Sequence, residues 1–106
     1  MQDFVVELYK RIIDICDYYV VANKASIISD IKGLIPDIQR FVTWFIETED
    51  IGVEAQIKTS MNNQVLEMLR DMSIALERGD SVLMFDATKE GVAEYLKLFI
   101  PEEELV

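Results

Sequence analysis

Turn punctuation is scarce in this sequence: its 106 residues contain four glycines, at 33, 52, 79 and 91, and two prolines, at 36 and 101. So few breaks leave room only for long regular elements, and the apolar residues recur at helical rather than strand spacing. In residues 2–22, Phe4, Leu8, Ile12, Ile15, Cys16, Tyr19 and Val20 fall on one side, widened by Val5, Tyr9 and Ile13. That arc covers about half of the circumference, more than a single contact stripe. A central helix touching two or more neighbours is predicted. Asn23-Lys24 supplies a short turn after it.

The second helix is predicted over 26–48, kinked at Pro36. A proline inside a helix removes one hydrogen bond and costs about 3 kcal/mol, so two shorter helices are the alternative. Ile27, Ile31, Leu34, Ile35, Ile38, Phe41, Val42 and Phe45 nevertheless hold one face across the proline, which favours a single kinked helix. The acidic stretch Glu47–Val53 then reads as a loop. A third helix over 54–78 carries Ile57, Met61, Val65, Met68, Leu69, Met72, Ala75 and Leu76 inward. Lys58, Asn62, Asn63, Glu67, Arg70 and Arg78 take its other faces.

Gly79 closes that helix and Asp80 caps the next, over 81–99, which Pro101 ends before a frayed acidic tail. Val82, Phe85, Val92, Ala93, Leu96 and Phe99 form its inward face, so Leu83, Met84, Tyr95 and Leu98 point elsewhere. Short joints between long amphipathic helices make antiparallel neighbours. The expected fold is an all-α, antiparallel four-helix bundle in one domain, residues 1–106.

Charge and chemistry narrow the function. Twenty acids against ten bases give a net charge of −10, a field that repels nucleic-acid backbones and anionic membrane surfaces. The single cysteine, Cys16, cannot form an internal disulfide and suits a reducing, cytoplasmic compartment. The N-terminal segment carries Asp3 and Glu7 where a signal peptide is basic, and no apolar run reaches membrane-spanning length. Histidine is absent, which removes the commonest general base, the Ser-His and Cys-His systems and the usual zinc ligands. No glycine-rich phosphate loop occurs. The acids at 47, 49, 50 and 54 lack the alternating ligands of a calcium loop, and Glu54 suits a helix N-terminus. No catalytic residue, cofactor or metal is expected.

Residues 74–99, IALERGDSVLMFDATKEGVAEYLKLF, resemble the C-terminal half of certain small acidic helical proteins of spore-forming bacteria, an uncharacterised family. An Ala-Leu-x-x-Gly-Asp-x-Val-Leu joint carries the likeness, with Trp44 late in the second helix. It implies a helical bundle and a bacterial origin, and brings no functional residue. In size, charge and helicity the chain also resembles the acidic export chaperones of flagellar systems.

The reading is therefore a non-enzymatic protein–protein interaction module, an adaptor or small chaperone. Trp44, Leu83, Met84, Tyr95 and Leu98 are its expected interface, most simply a homodimer's. The alternative is a module binding an apolar small ligand in the bundle core or dimer interface, with Met61, Met68 and Met72 as soft lining. Asp86, at the margin of the inward face, is a candidate buried carboxylate with Lys89 as partner.

Overall fold

Long apolar periodicity does produce helices. A computed structural model describes residues 1–22 and 26–105, and every regular element among them is helical. The chain forms α1 (Gln2–Ala22), α2 (Ile27–Lys32), α3 (Ile35–Glu47), α4 (Ala55–Arg78) and α5 (Ser81–Ala87). A π-helical turn (Thr88–Val92) leads without interruption into α6 (Ala93–Lys97), and a 3₁₀ turn (Glu102–Glu104) follows. The turn expected at Asn23-Lys24 lies outside the described residues.

The predicted kinked helix is instead two helices. At the break the Gly33 amide still bonds to the Ser29 carbonyl, but Leu34 tightens to a bond with Ile31, 2.8 Å long. Pro36 then falls in the first turn of α3, where its missing N–H is one of the donors that a helix leaves unpaired anyway. Placing the proline there avoids the cost of an interior kink. The apolar phase nevertheless survives the break: Ile27, Ile31, Leu34, Ile38, Phe41, Val42 and Phe45 are all buried.

These side chains join Val5, Leu8, Ile12 and Cys16 of α1, Val65, Met72 and Ala75 of α4, and Met84, Val92, Ala93 and Leu96 of the last helix in one core. α1 packs against α2, α3 and α6, as the width of its apolar arc requires. Aromatic rings concentrate at the end where α3 meets the chain after α6. Phe99 stands edge-on to Trp44 and Phe45 with centroids 5.0 and 5.9 Å away.

The last helix departs most from expectation. Met84 and Tyr95, predicted to point away from the core, are buried, and Val82, predicted to point in, is exposed. Two causes combine. Residues 81–85 read Ser-Val-Leu-Met-Phe, so polarity alone does not select the inward side. The π turn then inserts an extra residue into the helical cycle, its closing bond running from the Ala93 amide to the Thr88 carbonyl. A uniform 3.6-residue phase cannot be carried through it. Thr88 promotes the irregularity: its hydroxyl donates to the Met84 carbonyl at 2.6 Å, competing with the main-chain ladder. Gly91 permits the turn to sit close on α4, since a Cβ there would lie 3.0 Å from Cγ and Sδ of Met68.

The joint before α5 is as read from sequence. Gly79 adopts φ +64°, and the Asp80 carboxylate accepts the Leu83 amide at 3.0 Å. In the acidic tail, expected to fray, the described residues after Pro101 are all exposed; Glu102–Glu104 form the 3₁₀ turn, and Glu104 lies 3.7 Å from Lys10.

Candidate functional site

The α3–α4 corner holds the most unusual polar group. Lys58 is only 4% exposed, although its charge placed it on an outer face in the sequence reading. Its spacing of seven from Val65, and of seven again to Met72, puts it on the inward stripe of α4. No carboxylate lies within ion-pair distance of it among the described residues. The ammonium instead donates to the Phe45 carbonyl at 2.7 Å and to Oδ1 of Asn62 at 2.8 Å. It also stands 4.4 Å above the Phe45 ring.

Phe45 is in the last turn of α3, where carbonyls lack helical partners and the helix dipole is negative. Lys58 thus serves as a capping cation supplied by another helix, with the ring contributing a cation–π contact. Thr48 completes the end, its hydroxyl donating to the Trp44 carbonyl at 2.7 Å. Burial pulls the Lys58 pKa below its ordinary value, and Glu49 partly opposes the shift. Ile46, Glu49, Ala55, Lys58, Thr59 and Asn62 line an open depression of about 400 Å³ beside the amine. With the ammonium engaged by a carbonyl, an amide and a ring, the corner locks two helices together. The loop acid Asp50 is also structural, accepting the Gly52 amide at 3.0 Å where Gly52 has φ +88°.

The expected interface divides. Met84 and Tyr95 are core residues, and Leu83 is half-buried. The Tyr95 ring meets Phe45 edge-on and its hydroxyl donates to Gln64 Oε1. Trp44 closes an edge against Phe41 and Phe99, leaving Leu98 as the one well-exposed member of the set. Asp86 is not buried. It lies on the outer face one turn after Val82, and no ion pair joins it to Lys89. Lys89 is half-buried near Cys16 instead. Burial pushes the Cys16 thiol up to about 11, against the opposing Lys89 charge.

Exposed apolar residues are spread over α4 and the last helix, as at Ile57, Leu66 and Leu98, and the most exposed of all stand at the end of α1 and the start of α5. Val20, Val21 and Val82 are 63%, 86% and 61% exposed, and Tyr18 is exposed beside them on α1. A rim depression of about 570 Å³ between α1 and the tail is lined mainly by charged and polar groups, including Asp3, Glu7, Lys10 and Glu103. No helix of the described residues is long and apolar enough to cross a membrane. Searches against protein-family models, curated proteins and solved structures find no match to this chain.

Proposed function

We propose that this chain is a non-enzymatic protein–protein interaction module, acting as an adaptor or small chaperone-like protein. Its plan is an antiparallel four-helix bundle in which α2 and α3 form one bent limb and the helix over 81–97 the last. The observation that carries this reading is the set of exposed Tyr18, Val20, Val21 and Val82, which includes the most exposed large apolar side chains of the described residues. Apolar side chains grouped on a surface favour a partner that removes them from water, at about 25 cal/mol per Å².

A homodimer was expected through the last helix, but most of that face is spent on the core. Two copies each carrying −10 also repel, so a different and more basic protein is the better partner. The lone thiol supports a reducing, cytoplasmic setting. The likeness of residues 74–99 to helical proteins of spore-forming bacteria belongs to the same reading. A module for an apolar ligand is the alternative, although the depression along α1 is lined by charges unsuited to it.

Quantitative affinity capture from source cells tests the proposal, comparing the natural chain with a Val21→Asp, Val82→Asp variant. The expected result is a partner recovered near equal stoichiometry and lost with the variant. Recovery of no stoichiometric partner at native abundance contradicts it.

A further inference from the structure

The register between α1 and the last helix shows what the exposed apolar end is made of. Tyr19 stacks on Phe85 with centroids 5.2 Å apart, Cys16 lies within the field of Lys89, and Tyr9 within that of Lys97. These pairings run in opposite directions along the chain, so the two helices are antiparallel. The last turn of α1 therefore lies beside the first turn of α5. Half-buried Tyr19 and Phe85 form a floor there; Val20 flanks it on α1, while Val21 and Val82 are exposed on the outer faces of the two helices.

The rim is acidic. Asp14 and Asp17 project from the outer face of α1, and Asp86 and Glu90 from the last helix; all four are exposed and none takes part in an ion pair among the described residues. Residues 12–22 contain no lysine or arginine. Lys24 follows this segment in the sequence, and among the described residues the neighbouring base is Lys89, whose field reaches Cys16. The two basic residues before this segment are already engaged, Lys10 with Glu104 and Arg11 with Asp37.

We propose that this acid-rimmed apolar end of α1 and α5 docks a basic amphipathic helix from another protein. The proposal rests on the interaction-module reading and specifies its surface and its partner. The valines and Tyr18 supply the area that leaves water, while the carboxylates select lysine and arginine along the margins of the incoming apolar stripe. A nucleic acid or an anionic bilayer meets the same carboxylates as repulsion. A second copy of this chain would bring the same acids to the contact.

Fluorescence anisotropy with the full chain provides the test. The probes are a Lys/Leu amphipathic helix of about five turns, a scramble of it without an apolar face, and a Glu/Leu helix of the same face. The expected result is binding of the first alone, weakened about tenfold by Val21→Ser with Val82→Ser. Asp17→Asn with Asp86→Asn should weaken it too and flatten its salt dependence. These positions are exposed, so circular dichroism should show native helicity; the asparagine pair decides the matter should the serine pair unfold.

Equal binding of the scramble, or indifference to both pairs of substitutions, overturns the proposal. So does binding of the chain to vesicles of anionic lipid through these valines, or sedimentation equilibrium showing self-association lost in the serine pair. A cellular partner captured equally well by the natural chain and the serine pair overturns this surface while leaving the interaction-module reading standing. Absence of both partner and peptide binding removes both.

Discussion

The Lys58 ammonium donates to the main-chain carbonyl of Phe45, 2.7 Å away, while standing 4.4 Å over the ring of the same residue. One side chain of α4 thereby satisfies the end of α3 and packs on its last core aromatic. The long methylene stem makes this possible, lying along apolar surface while its head meets a dipole. A buried charge held without a carboxylate is costly, so its removal and its titration should both be measurable.

Replacing Lys58 by methionine keeps the apolar stem and deletes both hydrogen bonds. A loss of about 1–3 kcal/mol at neutral pH is expected from denaturant unfolding. The pH dependence follows from the direction of the shift. Below the depressed folded pKa both states hold the proton and the full burial cost is present. Between that pKa and the ordinary 10.5, only the unfolded chain holds it, so stability attributable to Lys58 rises with pH. The deficit of the methionine variant should therefore grow as pH approaches 10. Cys16 and Tyr95, whose pKa values burial raises, act in the opposite sense but equally in both proteins. A deficit that stays flat over this range would contradict a depressed Lys58.

Asp80→Ala removes the bond to the Leu83 amide and should cost about 1 kcal/mol. For a domain of this size that is a fall of roughly 4–8 °C in melting temperature. Asp80→Asn, which keeps an acceptor, should recover most of it.

Gly91→Ala presses a methyl group onto Met68 while gaining about 1 kcal/mol of helix propensity. The informative quantity is the coupling. Combined with Met68→Ala, which clears the space, Gly91→Ala should be more favourable than it is alone by about 1 kcal/mol. Additive effects in that double-mutant cycle would rule out the close approach.

Cys16 should resist alkylation in the folded protein at pH 8. It is fully enclosed and its pKa is pushed up to about 11, leaving little thiolate to react. Labelling with iodoacetamide should follow unfolding by denaturant; rapid modification of the native chain would show the thiol to be accessible.

The limits of α1 and α4 were legible in the sequence because charged and apolar residues there alternate strongly enough to fix a phase. The Gly79-Asp80 joint was legible because each residue has a distinct local chemistry. The break before Pro36 is not legible in the sequence, since the apolar face continues across it and conceals the change of axis. Lys58 was hidden by its own charge: spacing placed it inside, composition placed it outside, and spacing prevailed. Ile57 is its counterpart, an expected core residue left about half exposed. The candidate docking end was the least legible, because it depends on which turns of α1 and α5 become neighbours. Asp86, marginal in the sequence, is exposed in the structure.

The π turn at Thr88–Val92 also decides where the last helix can change length. Its first half is keyed to α2 and α4 and its second to α1, with the extra residue absorbed between them. Deleting one residue within the turn would remove that excess and restore a regular α-helix, leaving Ala93, Tyr95 and Leu96 on the core face they already occupy. The same deletion within α6 would carry Lys97 into the enclosed position of Leu96. Homologous chains should therefore differ by one residue at 88–92 sooner than anywhere else in this helix.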